Sequence, residues 1–176
     1  MMKTITFPML HRTSLPLGDI LLAATDQGLC GLWFADGQKH MPDMHGWPTG
    51  HNAVIDLAQQ QMAQYFAKQR TVFDLPLDLR VGTPFQQAVW RALLAIGSGQ
   101  HSSYGSIAKH IGNPQAVRAV GAAVGRNPIS VIVPCHRVLG ASGALTGYAG
   151  GLERKTALLQ LEGVLQGTAD AQASLL

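Results

Sequence analysis

Residues 103–127 read SYGSIAKHIGNPQAVRAVGAAVGRN. Ser103-Tyr104-Gly105 opens a short helix that runs to His110, Gly112-Asn113-Pro114 breaks it, and a second helix follows from about Pro114 to Val124. Two short helices joined by a tight glycine-containing turn form the helix-turn-helix pattern, which many αα-hairpins in protein cores share. The composition of the second helix is stranger than its spacing. Ala116, Ala119, Gly121, Ala122, Ala123 and Gly125 leave it almost bare, with Arg118 its one charge. Glycine inside a helix costs about 1 kcal/mol relative to alanine, so helix stability is not why two are present. Two explanations stand. Either the helix packs tightly against a neighbouring helix, or it lies close to a nucleic-acid backbone or minor groove with one long cation projecting. A major-groove reader offers several Arg, Asn, Gln or Lys side chains to base edges. This helix offers few, which points to contact that does not read sequence.

Charge is segregated around that stretch. The 176 residues carry a formal net charge of +3. Residues 1–82 hold 6 Lys/Arg against 7 Asp/Glu, a net of −1, while residues 83–165 hold 7 against 2, a net of +5. No carboxylate occurs between Asp78 and Glu153, where Arg91, Lys109, Arg118, Arg126 and Arg137 fall. Ordinary surface solubility gives such a count too, but one-sided removal of acids suits a polyanionic partner better.

The bulk numbers exclude several classes. Hydrophobic residues make up 47% and charged residues 13%, a globular rather than a disordered composition. There is no apolar run of about 18 residues and no charged-then-apolar leader, so no membrane partner is expected and a cytoplasmic setting is. Two distant cysteines are no disulfide framework. Cys30, within Gly28-Leu29-Cys30-Gly31-Leu32, reads as a core cysteine.

Toward the N-terminus the periodicity predicts three strands, at Ile5 to Leu10, Asp19 to Ala24 and Gly28 to Phe34. Residues 36–50 read as loop. Asn52 caps a helix to about Lys68, with Val54, Leu57, Ala58, Met62, Tyr65 and Phe66 on its apolar face, and Thr71 to Leu79 returns as a strand or extended linker. The domain boundary falls near 80–83. Thr83-Pro84-Phe85-Gln86 then caps a helix with Phe85, Val89, Trp90, Leu93 and Leu94 on one face. The tail from Gln166 to Leu176 reads as frayed or weakly helical.

Chemistry concentrates at Pro134-Cys135-His136-Arg137, directly after the apolar run Ile129 to Val133. The run reads as a buried strand delivering a sulfur to a rim, where cationic neighbours lower the thiol pKa. A nucleophilic thiol needs a base and a group to orient that base. His136 is adjacent, but neighbours on a strand face opposite ways, so the pair requires a turn or a bridging water. The third member is a carboxylate, and residues 83–165 supply only Glu153, at a solvated helix start, and Glu162. Glu162 ends an apolar helix, where a carboxylate opposes the helix dipole unless it is paired. Between thiol and helix, the glycine-rich residues 140–151 permit close approach of a flat ligand, with Tyr148 available for stacking.

Three segments together carry a resemblance: Ile129 to Arg137, Thr146-Gly147-Tyr148-Ala149-Gly150-Gly151-Leu152, and Asn113 to Asn127. In order and spacing, from about Gly82 to Gly163, the chain closely resembles the O6-alkylguanine-DNA alkyltransferases. The resemblance implies an α/β N-terminal domain (residues 1–80; small antiparallel sheet plus helix, ribonuclease-H-like). A mostly helical C-terminal domain follows (residues 81–176; helix-turn-helix, winged-helix-like). It implies single, irreversible transfer of an alkyl group from O6-alkylguanine, and from O4-alkylthymine, in double-stranded DNA to Cys135, with no cofactor. By position, His136 acts as base through a water, Glu162 orients it, and Tyr104 lies near the ring nitrogen of a flipped base. Arg118 fills the gap in the stack, with Ala119, Gly121 and Ala122 beside it. Asn127, placed with the DNA-binding residues, ties the helix-turn-helix to the thiol segment. Tyr148, Val138, Val124, Ala149 and Gly150 form the guanine pocket. The family often has serine where Ala149 stands, so a side-chain hydrogen bond to O6 is missing there and backbone donation substitutes. The resemblance further implies a monomer, cooperative on DNA in some cases, and for Arg137 a structural or phosphate-facing role is expected.

Three other readings compete. A cysteine hydrolase needs an oxyanion hole and turnover. A module that binds alkylated DNA without transfer has no use for Cys135. A helix-turn-helix regulator needs a better furnished recognition helix. His40, His45 and His51 lie in the N-terminal loop without a tight ligand spacing, so no metal is expected.

Overall fold

The computed structural model describes residues 6–166, so all but the first residue of the 166–176 tail lies outside the described residues. Three antiparallel strands, β1 (Met9–Leu15), β2 (Gly18–Ala24) and β3 (Leu29–Phe34), form a meander in that order. The expected first strand is displaced: residues 6–8 precede the sheet, and β1 runs on through Arg12-Thr13-Ser14. It is an edge strand with one wet face, so its polar residues broke the apolar run the sequence offered. Helix α1 (Ala53–Phe66) lies against the sheet, and Asn52 accepts the Ile55 N–H at 2.9 Å as its N-cap. Its buried stripe is Ile55, Ala58, Met62, Tyr65 and Phe66, at helical spacing. Gln61 is buried too. Its amide exchanges two 2.8 Å bonds with the Asp74 backbone, fixing the extended segment that follows.

That segment and the thiol segment share the second edge of β3. Leu29 bridges to Leu77, and Leu32 bridges to Ile129 through Leu32 N–H to Pro128 C=O (2.9 Å) and Ser130 N–H to Leu32 C=O (3.0 Å). An open sheet edge thus becomes the template on which the second half of the chain is mounted.

The second half begins with α2 (Pro84–Leu94), started by a complete Thr83/Gln86 capping box. The short strand β4 (Ser102–Ser103) leads into α3 (Tyr104–His110), and α4 (Val117–Gly125) packs on both helices, with the buried Trp90 indole donating to the Ala123 carbonyl at 2.8 Å. After the thiol turn, β5 (Val138–Leu139) pairs parallel to β4, and α5 (Leu152–Leu161) closes the molecule. The expected α/β unit followed by a helical helix-turn-helix unit is the architecture observed. No helix of the described residues is long and apolar enough to cross a membrane.

One expected strand is absent. Ile129 to Val133 forms a chain of tight turns, with Ile132 N–H on Ser130 C=O and Val133 N–H on Ile129 C=O. Val131 sits at φ 71°. A β-branched residue in the left-handed region costs of order 1–3 kcal/mol, and the surrounding contacts must impose it. Burial on all sides made these residues apolar, and burial alone does not distinguish a strand from a packed turn.

Candidate active site

Asn127 organises the thiol turn. Its side-chain N–H₂ donates to Val133 C=O at 2.7 Å and to Cys135 Sγ at 3.1 Å, and its carbonyl accepts Ile129 N–H at 3.0 Å. Asn127 is buried and fully used within the protein, so it belongs to the thiol and not to a DNA-contacting surface. Cys135, His136 and Arg137 form one 3-10 turn, which frees side chains from the strict alternation of a strand. Cys135 is 5% exposed. Burial pushes its thiol up to about 11, against the smaller opposing effects of the Asn127 bond and the Lys155 charge. At neutral pH the group is therefore a thiol, contrary to the activated thiolate expected from its cationic neighbours, and transfer requires a base.

His136 is completely buried. Its Nε2 bonds Glu162 Oε1 at 2.8 Å, and its Nδ1 has no partner within the described residues. Burial holds the imidazole below its ordinary pKa, the Arg137 and Lys155 charges add to that, and Glu162 opposes it. The neutral ring is the form that accepts a proton. Glu162 caps α5, where its pairing answers the unfavourable dipole. Arg137 donates Nε to Oε2 (2.9 Å) and Nη2 to Oε1 (2.7 Å), and its Nη1 donates to Ile96 C=O (2.6 Å). Arg137 is buried and structural; it faces no phosphate. Burial alone would raise the Glu162 pKa, but the bonds from His136 and Arg137 win and hold it near 2.

A pocket of about 300 Å³ opens beside the sulfur. Cys135, Tyr104, Tyr148, Ala149, Gly121, Val124 and Gly125 line it, together with Lys39 and His40 from the N-terminal loop. Tyr104 Oη lies 3.0 Å from Thr146 Oγ1, which ties α3 to the glycine-rich loop. Tyr148 is a buried wall whose hydroxyl has no partner within the described residues. Two residues expected in the pocket stand behind it. Val138 is core, its carbonyl held by the buried Lys155 ammonium at 2.7 Å. Gly150 is packed so closely that an added Cβ would stand 2.8 Å from the Phe34 ring and 2.9 Å from Tyr148. Its lack of a side chain lets the Tyr148 wall stand against the sheet.

The two glycines of α4 are not explained by tight internal packing. An added Cβ at Gly121 would meet Tyr104 at an ordinary 3.9 Å, and one at Gly125 would meet nothing within 4 Å. Both glycines face the pocket. Val120, Ala123 and Val124 are the buried face, while Arg118, Ala119 and Ala122 are exposed, with no hydrogen bond or ion pair recorded for Arg118 among the described residues. The slimness is therefore available to something that approaches from outside.

Sequence reasoning missed Lys39, His40 and Tyr65. Tyr65 Oη donates to Glu162 Oε1 at 2.7 Å across 97 positions of sequence. It was placed on an apolar helix face, and only its phenol hinted at a further use. Cys30, read as core, is half-buried and lines a second cavity with Trp33, Trp47 and Trp90.

The fold and the site define a class: a small sheet-and-helix unit joined to a helix-turn-helix unit that carries a buried, base-supported thiol. The model of the 6-O-methylguanine DNA methyltransferase DNA-binding domain matches residues 84–164, and that of the family's ribonuclease-like domain matches residues 10–79. The methylated-DNA–protein-cysteine methyltransferase of Mycolicibacterium paratuberculosis is 52% identical over 147 residues, covering 84% of this chain and 87% of the relative. That of Methanosarcina acetivorans is 49% identical over 148 residues, covering 84% and 94%. The crystal structure of Mycobacterium tuberculosis OGT in complex with DNA superposes with a TM-score of 0.81 at 46% identity, covering 95% of this chain and 98% of that one. The chain belongs to the methylated-DNA–protein-cysteine methyltransferase family, as its three motif segments indicated.

Proposed function

We infer that the protein repairs DNA by moving an alkyl group from O6 of guanine in duplex DNA onto Cys135, once per molecule. The observation that carries this reading is the position of a buried nucleophile on the wall of a pocket whose other wall is the bare side of α4. A base inside a duplex cannot reach such a sulfur, and extruding it costs a few kcal/mol. In this reading α4 enters the minor groove with Ala119, Gly121 and Ala122 against the backbone, and Arg118 supports the vacated stack. Tyr148, Val124 and Ala149 hold the flipped guanine, and in this reading the backbone N–H of the pocket-lining Ala149 serves as the donor to O6.

The thiol proton passes to His136, through a water, with Nδ1 as acceptor and Nε2 held by Glu162. The sulfur then forms a bond to the alkyl carbon, the C–O6 bond breaks with its electron pair left on the purine, and the purine takes up one proton beside Tyr104. Asn127 supports the charge that develops on Sγ. The thioether is stable, so no step regenerates the thiol, and the chemistry calls for no metal or cofactor. Residues 1–80 serve as a supporting unit and residues 81–176 carry binding and transfer.

Incubation with a duplex containing one O6-methylguanine tests the reading by mass. A gain of one methyl group, localised to Cys135 and absent in Cys135→Ser, is expected. Multiple turnovers, or binding without a mass change, would sink it.

A further inference from the structure

Glu162 Oε1 accepts three hydrogen bonds: His136 Nε2 at 2.8 Å, Arg137 Nη2 at 2.7 Å and Tyr65 Oη at 2.7 Å. Two donors come from the thiol turn. The third crosses from the last turn of α1, in the N-terminal unit. Tyr65 is 3% exposed, and its ring is held edge-on by Phe66 (5.3 Å) and tilted against Phe73 (5.4 Å), so the hydroxyl is aimed by packing. Burial, and then the neighbouring Glu162 charge, raise its pKa far above the ordinary tyrosine value, which keeps the hydroxyl protonated and able to donate to the carboxylate.

We propose that Tyr65 is a positioning residue for the transfer reaction. Its O–H fixes and shares the one carboxylate oxygen that holds His136, so the N-terminal unit tunes a proton acceptor in the C-terminal unit. The inference rests on the reading of His136 as the base.

The donors on Oε1 compete for its charge. Each donor on Oε1 withdraws electron density that would otherwise stabilise an imidazolium at His136. The other charged or titratable groups around the ring are Arg137 on the same turn, Lys155 on α5 and Cys135 itself, with Tyr148 near Tyr65. Arg137 and Lys155 already disfavour the imidazolium, and the phenol acts in the same direction without adding a charge. Removing the O–H concentrates negative charge on Oε1, which raises the His136 pKa. A smaller share of the ring is then neutral on the acid side, so transfer slows there and recovers as pH rises.

Tyr65→Phe keeps the ring and its packing. The single-turnover rate of methyl transfer from duplex O6-methylguanine, followed from pH 5 to 9, tests it. The acid limb is expected to move up by about half to one pH unit, with rates converging above it and DNA affinity unchanged. Phe73→Leu, which trims one of the two supporting rings and keeps both Phe66 and the phenol O–H, is the packing control and should lower thermal stability without moving the limb. Ring ¹⁵N shifts of His136 in wild type and Tyr65→Phe at matched pH give a readout independent of transfer. If wild type transfers methyl to Cys135 and the two pH profiles superimpose, Tyr65 is an interdomain strut and the inference fails. If wild type does not transfer at all, the functional reading fails first, and identical His136 shifts in the two proteins would still overturn the inference.

Discussion

Asn127 uses both ends of its carboxamide within eight residues of its own position, binding Ile129, Val133 and the Cys135 sulfur. Truncating it leaves the Ile129 N–H without its partner in a dry interior, at about 1–3 kcal/mol. Asn127→Ala is expected to lose about that much stability in chemical denaturation, and to transfer methyl more slowly because the sulfur loses its donor. Glu162 gives the residue-scale pH dependence. Its folded pKa, near 2, lies below the ordinary glutamate value of 4.5, so the carboxylate contributes stability above about pH 4.5 and loses it as pH falls toward 2. Acid titration of the wild type should show that loss. Glu162→Gln should lack that limb and also be less stable at pH 7, by about 3–5 kcal/mol, because the buried Arg137 is left uncompensated. The identities of Cys135, His136 and Glu162 as a set were legible in sequence from type and scarcity. Arg137 was only half legible, because nothing local to it reveals that its partners are Glu162 and the Ile96 carbonyl.

Among the elements, α4 separates stability from use. Gly121 and Gly125 each weaken the helix relative to alanine, and neither is required by an internal contact. Gly121→Ala should therefore raise stability by about 0.5–1 kcal/mol in urea unfolding. The same variant should slow transfer from duplex DNA, because the added methyl stands on the pocket side. A fall in stability would mean that the glycine serves the fold. The helices themselves were readable, since Asn52, Thr83 and Ser103 each cap where the sequence placed a start. The Ile129 to Val133 segment was misread as strand. Besides its own turn bonds, it is held by Asn127 and by the edge of β3, and neither of those contacts leaves a trace in local periodicity.

Across the whole molecule, the basic half carries α4 and the thiol, while the slightly acidic half carries the sheet. If the exposed Arg118 meets a duplex, binding should weaken linearly in log–log form as salt rises. Arg118→Ala should reduce that slope by about 1 if the contact is to phosphate. Its folding stability should stay within about 0.5 kcal/mol of wild type, as expected for an exposed side chain outside the core. The two halves are also coupled mechanically. Arg154 donates to Leu17 C=O at 2.9 Å, Gly150 C=O at 3.1 Å and Asp36 at 2.6 Å, while its guanidinium covers the Phe34 ring. Lys39 N–H holds the Ala149 carbonyl at 3.0 Å. The pocket loop is thus clamped from the N-terminal side.

By itself the sequence determined the helix-turn-helix with its bare second helix, the reactive segment 134–137, the charge segregation and the carboxylate at the end of the last helix. These are local or compositional properties, carried by spacing, capping and residue type. Tertiary structure alone decided that the thiol rests on a turn held by Asn127, that burial keeps it protonated, and that Gly150 and Val138 stand behind the pocket wall. It also decided that Tyr65 reaches Glu162 from the other unit. Even the nearby Asn127 contacts exist only once the turn is folded, and the others bring groups tens of positions apart into a dry interior, where desolvation and hydrogen-bond partners set protonation and no sequence neighbour records them.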